Sequence, residues 1–469
     1  MKSVLLTSLA LVLALGATEI TSAQSKDGAI TPQLLEQLRK SEPNTPTERA
    51  LHNAIALQGM KDFFVNPARP RTIEDSFSIE VKSAGISDQQ QSGRCWLFTG
   101  LNVLRAQFMA REKSGTFFFS QNYSFFWDQL EKANLFLEGI IETRKAEVTD
   151  KKVEWLFKNP ISDGGQFTGI SDNLIKYGVV PAAVMPETAS SNDARLMGSM
   201  IARTLRQAGI QIRKASASGE SLTQLRKRKD NCLKQVYRIL SLNLGVPPTS
   251  FTYTLRDANG KAISTETYTP QSFYKRFVGV DMRDQFVMLM NDPSRPYYKV
   301  YEIDFDRHAY DGKNWTYVNL PMEEIKQMAI ASLRDNTMMY YSCDVGRELD
   351  RSKGIAALDN YDYASLTGTT YNMDKADRIR TFDSGSTHAM TLTAVDLDRQ
   401  GKPVKWKVEN SWGPSYGHQG YLIMTNRWFN EFMFRLVVDR KYASEKVLKA
   451  EQQKPIMLLQ DDPLFQDDK

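Results

Sequence analysis

Cysteine and histidine are scarce in this sequence, which contains three cysteines and four histidines among 469 residues. Three thiols are too few for a disulfide-framed small protein or for a zinc site with four thiolate ligands. The histidines form no His-Glu-x-x-His pair, and no Gly-x-x-x-x-Gly-Lys loop or dinucleotide fingerprint stands between a strand and a helix. These absences argue against a zinc peptidase, a P-loop site and a Rossmann cofactor site, and we expect no metal and no cofactor.

Long apolar runs are missing as well, except at the start of the chain. Residues 1–23 begin with Lys2, continue through an apolar run from Leu5 to Leu15 and end in small residues up to Ala23. This order is typical of a secretory signal peptide, and the run is shorter than the roughly 20 apolar residues of a membrane span. The sequence therefore predicts cleavage after Ala23 and a periplasmic or secreted protein without a membrane span. In that oxidising compartment, an odd number of thiols leaves at least one unpaired.

The overall composition is that of a globular protein, with 41% hydrophobic residues, 25% charged residues and a net charge of +5. Positive charge is concentrated in residues 203–238. This stretch contains ten Lys or Arg residues and only two acidic residues, Glu220 and Asp230. A solvated helix face is the commoner explanation of such a stretch. A nucleic-acid-binding face is the alternative.

Cys95 stands at the start of a predicted helix, whose apolar stripe consists of Leu97, Leu101, Leu104 and Phe108. The partial positive charge and unpaired N–H groups at a helix N-terminus stabilise a thiolate. Gln89, six residues earlier, can donate its amide N–H to an oxyanion beside the backbone N–H of Cys95. Gln89 belongs to a run of three glutamines, so Gln90 is an alternative donor.

Other segments have recognisable local patterns. Residues 33–57 are predicted to be helical with a break between Pro43 and Pro46, residues 323–334 to form a helix and residues 338–343 a strand. The paired glycines Gly164 and Gly165 precede a helix that ends near Tyr177. Such a pair permits either close approach of a ligand to the backbone or a tight turn.

The hydrophobic period changes to two residues at His388. Met390, Leu392 and Ala394 share its face, Trp406, Val408 and Asn410 share a face of the next strand, and Lys405, Lys407 and Glu409 are expected to point outward. A turn centred on Arg399 would put His388 opposite Asn410, about 5 Å apart at Cβ. The register is a hypothesis that side chains on opposite faces would contradict.

These residues supply the parts of a Cys-His-Asn nucleophilic site. His388 would take the proton of the Cys95 thiol, and the Asn410 amide oxygen would fix the imidazole. Trp412, which follows closely, would cover the hydrogen bond between His388 and Asn410. Cys232 and Cys343 have no histidine nearby in the sequence and are expected to pack as apolar residues.

Four motifs carry a family resemblance: residues 89–97 (QQQSGRCWL), 163–166 (DGGQ), 387–390 (THAM) and 409–413 (ENSWG). They resemble the papain-like cysteine peptidases and, more closely, the branch of bleomycin hydrolase and aminopeptidase C. The match extends over roughly residues 82–463. His388 follows Cys95 by about 290 residues, against about 130 to 150 in ordinary papain-type enzymes, so the resemblance implies a large insertion.

The resemblance implies an α+β, two-lobed papain-like fold with an inserted helical region and a C-terminal arm that enters the cleft. The expected parts are a signal peptide (1–23), an N-terminal extension (24–80), a helical lobe with the nucleophile (81–200), an insertion (201–365), a β lobe with the histidine and asparagine (366–445) and the arm (446–469). It also implies that Gly164, Gly165, Trp412 and Lys469 contact the substrate.

The implied activity is that of a cysteine aminopeptidase that hydrolyses peptides through a thioester, in a homo-oligomer that is often hexameric in this branch. The chain departs from the branch in its export signal, because members are typically cytosolic, and in the acidic end of residues 461–469. A dipeptidyl peptidase or an endopeptidase with the same three residues is an alternative. A nucleic-acid- or peptide-binding protein that uses the face of residues 203–238 is an alternative of another class.

Overall fold

The computed structural model describes residues 28–69, 73–82, 85–279, 281–460 and 462–465. The predicted signal peptide with its cleavage site after Ala23, and the predicted substrate contact Lys469, lie outside these residues. The chain divides into two compact units, one that ends at Phe64 and one that begins at Val65.

In order along the described chain, the helices are α1 (Pro32–Ser41), α2 (Pro46–Gln58), α3 (Cys95–Glu112), α4 (Gln121–Glu142), α5 (Lys151–Lys158), α6 (Phe167–Tyr177), α7 (Ala189–Asn192), α8 (Arg195–Ala217), α9 (Leu222–Leu244), α10 (Pro270–Phe277), α11 (Met282–Gln285), α12 (Met322–Arg334), α13 (Tyr363–Thr367), α14 (Lys375–Arg380), α15 (Asn426–Phe432) and α16 (Glu445–Glu451). The strands are β1 (Ile79–Glu80), β2 (Phe251–Arg256), β3 (Ala262–Tyr268), β4 (Phe286–Met290), β5 (Lys299–Ile303), β6 (Thr316–Asn319), β7 (Met339–Cys343), β8 (Leu349–Asp350), β9 (Ile355–Ala356), β10 (His388–Leu397), β11 (Pro403–Glu409), β12 (Tyr421–Thr425), β13 (Met433–Asp439) and β14 (Ile456–Leu458).

The described part of the first unit contains helices α1 and α2. Each begins at a proline that follows a threonine, and each threonine hydroxyl accepts a backbone N–H of the first turn at 3.1 Å. Proline suits the first helical position because the N–H it lacks has no helical partner there. The prediction of a helical stretch interrupted between residues 43 and 46 is confirmed.

The second unit is built around one mixed sheet. Its described strands follow the order β14-β5-β6-β4-β13-β7-β10-β11-β12-β9-β8, with β1 beside β10, while β2 and β3 form a separate hairpin. Helix α3 packs against β10 and β7, and α4 packs against α6, α8 and α9. This arrangement of helices and a sheet confirms the predicted α+β class.

The central strands divide their side chains between two hydrophobic cores. Tyr340 of β7 and Ala389 of β10 pack with the apolar stripe of α3, whereas the next residues, Tyr341 and Met390, pack on the opposite face with Ile325 of α12. The alternation follows from the two-residue period of a strand. Both faces of the sheet are therefore covered, with α3 on one side and α12 on the other.

The hairpin of β10 and β11 corrects the predicted register. Thr391 pairs with Glu409 and Leu392 with Val408, and the pairing shifts at a bulge between Leu392 and Ala394. Leu397 pairs with Pro403, so the turn is centred one residue later than predicted and the register differs by two residues. Because the difference is even, the residues from His388 to Leu392 keep their predicted face. After the bulge, Val395 takes the place predicted for Ala394 and packs with Met390 and Leu392. His388 and Asn410 are not directly opposite, but they share a face.

The expectation that Lys405, Lys407 and Glu409 point outward is wrong. Their exposed fractions are 7%, 6% and 1%. Lys407 is paired with Asp75 at 2.8 Å and with Glu80 at 3.0 Å. The expectation assumed a solvated face, whereas β11 lies inside the sheet and is covered on both faces.

The stretch predicted as an insertion contributes to the main body. Its strands β4, β5, β6, β7, β8 and β9 belong to the same sheet as β10 and β11. Several basic side chains of residues 203–238 contact backbone carbonyls or carboxylates of neighbouring helices and loops: Arg206, Arg213, Arg226, Arg228 and Lys229. Part of this charge thus stabilises helix packing. No helix in the described ranges is long and apolar enough to cross a bilayer.

The C-terminal arm adds an outer strand and then turns inward. Strand β14 pairs in parallel with β5, and the carboxylate of Asp462 is paired with Arg295. Leu464 is 1% exposed and packs with Trp315 and Phe434. Its carbonyl oxygen accepts a hydrogen bond from Arg435 at 3.3 Å. The described part of the arm is therefore fixed at several points.

A buried ion pair joins α3 to the end of β11. Arg105 and Glu409 are 2.7 Å apart, with side chains 1% and 0% exposed. Arg105 also lies over the ring of Phe118, with its guanidinium carbon 4.7 Å from the ring centroid. Removing one partner would leave the other charge buried without compensation.

We predict that Arg105→Met lowers the free energy of unfolding by about 3 to 5 kcal/mol. The double variant Arg105→Met/Glu409→Leu should recover most of that loss, because no buried charge remains. Urea denaturation measures both effects. The exposed pair of Lys158 and Glu154 serves as control, and Lys158→Met should cost less than about 1 kcal/mol. Equal losses in the single and double variants would contradict this account.

Candidate active site

Cys95 is the first residue of α3, and the turn before it is firmly held. The backbone N–H of Gly93 donates to Asp163 Oδ2 at 2.7 Å. Arg94 is fully buried and is paired with Glu187 at 2.8 Å. The backbone N–H of a residue at this position has no partner within its helix, so it can point toward a ligand. Cys95 itself is partly exposed.

Cys95 lies beside strand β7. Burial raises the pKa of Tyr340, and the negative charge of Cys95 is the second cause. Burial likewise raises the pKa of Cys343, with smaller contributions from Asp344 and Cys95. Cys343 is the residue that pairs with His388 on the neighbouring strand, so Cys95 lies near the strand residue that pairs with the predicted base.

His388 is held on two sides. Its Nε2 atom is 2.8 Å from Asn410 Oδ1, and its ring stacks on Trp412 with centroids 4.6 Å apart and an angle of 30° between the planes. The hydrogen bond to Asn410 places a proton on Nε2 and leaves Nδ1 as the proton acceptor. The structure thus brings together His388, Asn410 and Trp412 as the sequence predicts.

Burial lowers the pKa of His388 to about 4, although the hydrogen bond with Asn410 acts in the opposite direction. The imidazole is therefore neutral at neutral pH and can accept the proton of a thiol. Trp412 covers one face of the ring, which limits the access of water to the bond with Asn410.

Gln89 is buried and is fixed by Ser411, the residue after Asn410. The backbone N–H of Gln89 donates to the Ser411 carbonyl at 2.8 Å, and the Ser411 hydroxyl donates to Gln89 Oε1 at 2.6 Å. The amide nitrogen of Gln89 therefore points the other way, where it donates to the Ser92 carbonyl at 2.6 Å. Its second N–H can serve an oxyanion near Cys95.

The alternative donor, Gln90, does not share this environment. Gln90 is exposed, and its amide nitrogen donates to Asp88 Oδ2 at 2.7 Å. Ser411 is a site residue that the sequence analysis missed. Its only signal was its place between Asn410 and Trp412, because a serine contact across two distant segments leaves no local pattern.

The segment with Gly164 and Gly165 lies next to the turn before Cys95. Asp163 joins the two, since its carboxylate accepts from Gly93 and its carbonyl accepts from the indole N–H of Trp96 at 2.9 Å. Neither glycine has a positive φ angle. The pair therefore does not serve a left-handed turn, which favours the interpretation that a ligand approaches the backbone here.

A cavity opens beside the predicted base. Its lining includes Asp344, Arg351, Thr387, His388, Trp412 and Tyr416. A second cavity borders Gly164, Gly165 and Gln166 and extends to Gln460 of the arm. The predicted substrate contacts Gly164, Gly165 and Trp412 all line one of these cavities.

Cys232, Cys343 and His418 supply no further catalytic group. Cys232 and Cys343 are buried and unbridged, and burial raises the pKa of Cys232 to about 11. His418 is paired with Asp75 at 2.8 Å. His308, which no sequence pattern singled out, lies beneath Gly165. Among the residues that the structure describes, no group of His, Cys, Asp and Glu is suited to hold a metal ion.

The low pKa of His388 predicts a specific pH dependence of stability, best measured in a Cys95→Ala background. The unfolded chain, with a histidine pKa of about 6.5, binds more protons than the folded protein between pH 6.5 and 4. The free energy of unfolding should thus fall by about 3 kcal/mol over this interval because of His388 alone. His388→Gln should lack this contribution. Urea denaturation of Cys95→Ala and of Cys95→Ala/His388→Gln measures this difference. If the two free energies of unfolding changed in parallel from pH 7 to 4, the burial of a neutral imidazole would be contradicted.

Comparison with known proteins agrees with this geometry. The model of the Peptidase C1-like family matches residues 29–465. Aminopeptidase C of Streptococcus thermophilus is 35% identical over 419 residues, which cover 88% of this chain and 94% of that protein. Bleomycin hydrolase of Rattus norvegicus is 37% identical over 389 residues, which cover 81% of this chain and 85% of that protein.

A solved structure is similar over nearly the whole molecule. The crystal structure of PepW from Lactobacillus rhamnosis superposes with a TM-score of 0.89 at 35% identity, and the match covers 93% of this chain and 99% of that chain. The family model covers the segments that contain Cys95, His388 and Asn410. The chain therefore belongs to the Peptidase C1-like family and is a cysteine peptidase.

Proposed function

We propose that this chain is an exported aminopeptidase that releases N-terminal residues from peptides through a thioester on Cys95. His388 accepts the thiol proton on Nδ1, since Asn410 Oδ1 occupies the Nε2 side at 2.8 Å. The positive end of α3 favours the resulting thiolate. The proton thus passes from Cys95 Sγ to His388 Nδ1, while Asn410 Oδ1 orients the imidazole.

The thiolate attacks the carbonyl carbon of the first peptide bond, and the negative charge moves to the carbonyl oxygen. The backbone N–H of Cys95 and the amide of Gln89 stabilise this oxyanion, and losing one such donor typically costs about 3 to 4 kcal/mol. The imidazolium of His388 then protonates the leaving amine, which leaves a thioester. Water, activated by the neutral imidazole, hydrolyses the thioester and regenerates the thiol.

The observation that carries the aminopeptidase mode is the path of the arm. Arg435 donates both to the Leu464 carbonyl and to Gln166 Oε1, so the arm lies beside the loop that contains Gly165. The arm also passes close to Gly385, because a Cβ atom added to that glycine would lie 3.5 Å from the Pro463 carbonyl oxygen. This path supports the proposal that the arm limits the room for a long substrate beside the loop, so that a substrate whose chain ends there fits better.

The names of the relatives support the same mode, since several are aminopeptidases C. Export to the periplasm or the medium is supported by the pattern of residues 1–23. A homo-oligomer is supported by the resemblance to the bleomycin hydrolase branch. Peptides are the proposed substrates, without a metal or a cofactor.

Replacing the proposed nucleophile should abolish the activity. Cys95→Ala is expected to lower kcat/KM for aminoacyl fluorogenic substrates by at least about a thousandfold. Cys232→Ala is the matched control, because Cys232 is buried in α9, and it should retain activity. The wild type should cleave a free-amine peptide and leave the same peptide intact when its amine is acetylated. Cleavage of the acetylated peptide would favour an endopeptidase, and release of dipeptides would favour a dipeptidyl peptidase.

Shortening the arm should widen the specificity. Deletion of residues 466–469, which lie outside the described residues, is expected to permit removal of longer units or internal cleavage, because the resemblance to bleomycin hydrolase and aminopeptidase C implies that the end of the arm restricts the cleft. Mass spectrometry of the products from one free and one acetylated peptide measures this change. An unchanged product pattern would contradict a role of these residues in the cleavage mode.

A further inference from the structure

The loop of residues 162–166 is fixed at nearly every position. The Ser162 carbonyl accepts from Gln129 at 2.8 Å, the Asp163 carbonyl from Trp96 at 2.9 Å, and the Gly164 carbonyl from Lys132. Within the described chain, the backbone N–H and carbonyl of Gly165 make no hydrogen bond. The loop therefore presents one backbone amide and one carbonyl that are free to pair with a peptide.

His308 lies beneath this loop and supports it. The residue lies between β5 and β6, far in the sequence from Cys95, and it is 6% exposed. Its Nδ1 atom is hydrogen-bonded to Asp128 Oδ1, and its Nε2 atom accepts a hydrogen bond from the backbone N–H of Gln166 at 3.3 Å. Only the neutral tautomer with a proton on Nδ1 can make both bonds. Burial, together with the charge of Lys132, lowers the pKa of His308 and favours that neutral form.

The space around the imidazole admits little movement. A Cβ atom at Gly165 would lie 2.2 Å from His308 Cε1, and one at Gly169 would lie 2.2 Å from His308 Nδ1. The ring also meets Trp96 edge-on, with centroids 4.7 Å apart. The glycines are thus required by the packing of His308, and the ring sets the height of the loop above it.

We propose that His308, oriented by Asp128, is a positioning residue for substrate binding in this peptidase. By accepting the N–H of Gln166, it holds the free amide and carbonyl of Gly165 in the conformation that pairs with the substrate backbone. The proposal deepens the proposed function, on which it rests. His308 acts through the loop. It takes no part in the reaction of Cys95 or in the hydrogen bond between His388 and Asn410.

This role predicts a separation of binding from chemistry. His308→Leu fills the space without an acceptor and should raise KM for peptide substrates about tenfold, while kcat changes less than about threefold. His308→Gln offers an amide oxygen near the position of Nε2 and should restore at least part of the affinity. Asp128→Asn keeps the shape but lets the imidazole carry its proton on Nε2, which removes the acceptor for Gln166, so it should also raise KM.

The experiment combines kinetics with two measurements that do not depend on turnover. Alkylation of Cys95 by iodoacetamide should proceed at the wild-type rate in all three variants, because the thiol and His388 are unchanged. Titration calorimetry with a short free-amine peptide, in a Cys95→Ala background, should give a dissociation constant about tenfold higher for His308→Leu. His418→Leu is the matched control, because His418 is also paired with an aspartate, and it should leave KM and peptide affinity unchanged.

The outcomes separate this proposal from the proposed function. Unchanged KM and unchanged peptide affinity in His308→Leu and Asp128→Asn would overturn the positioning role even if the wild type is an aminopeptidase. If the wild type fails to hydrolyse peptides but His308→Leu binds the peptide more weakly than the unsubstituted chain, the proposed function is refuted and the positioning role stands. A slower alkylation of Cys95 in every variant, without recovery in His308→Gln, would indicate a general structural role and would also overturn the proposal.

Discussion

The buried pair of Arg105 and Glu409 is the interaction on which the site depends. Arg105 belongs to the helix that begins at Cys95, and Glu409 directly precedes Asn410. The pair thus links the element that carries the thiol to the strand that carries the amide, across a low-dielectric interior in which neither charge is stable alone. A second link, the hydrogen bond between Ser411 and Gln89, joins the residue after Asn410 to the segment that precedes Cys95. Together they fix the spacing that a proton transfer between Cys95 and His388 requires.

Local features of the site could be predicted because they depend on short stretches of sequence. The apolar stripe after Cys95 marks a helix start, and the two-residue period at His388 marks a strand, and both are present. The register of the hairpin was wrong by two residues because the turn is centred one residue later than predicted, and a hydrophobic pattern does not mark the centre of a turn. The local bulges have no signal in such a pattern either. His388 still lies on its predicted face of the sheet, because a register difference of two residues does not change the face.

Features that depend on contacts between distant segments could not be predicted. Lys407 and Glu409 look like solvent-facing residues by alternation, yet partners from residues 75–80 and from α3 make their burial possible. His308 stands in a stretch without a motif, and its function becomes visible only when the chain brings it under Gly165. The residues between the nucleophile and the histidine are therefore part of the site's support, because they supply the imidazole beneath the substrate loop.

The arm has a second consequence, for the solubility of the protein. Strand β14 is only three residues long and forms the outer edge of the sheet, where it covers the backbone of β5. A longer strand exposed at an edge can pair with strands of other molecules, and short edge strands limit this risk. A protease that removed the arm before Ile456 would thus uncover the hydrogen-bonding edge of β5. Trimming that stops after Leu458 and trimming that removes β14 would then differ in kind, since only the second uncovers an edge that favours aggregation.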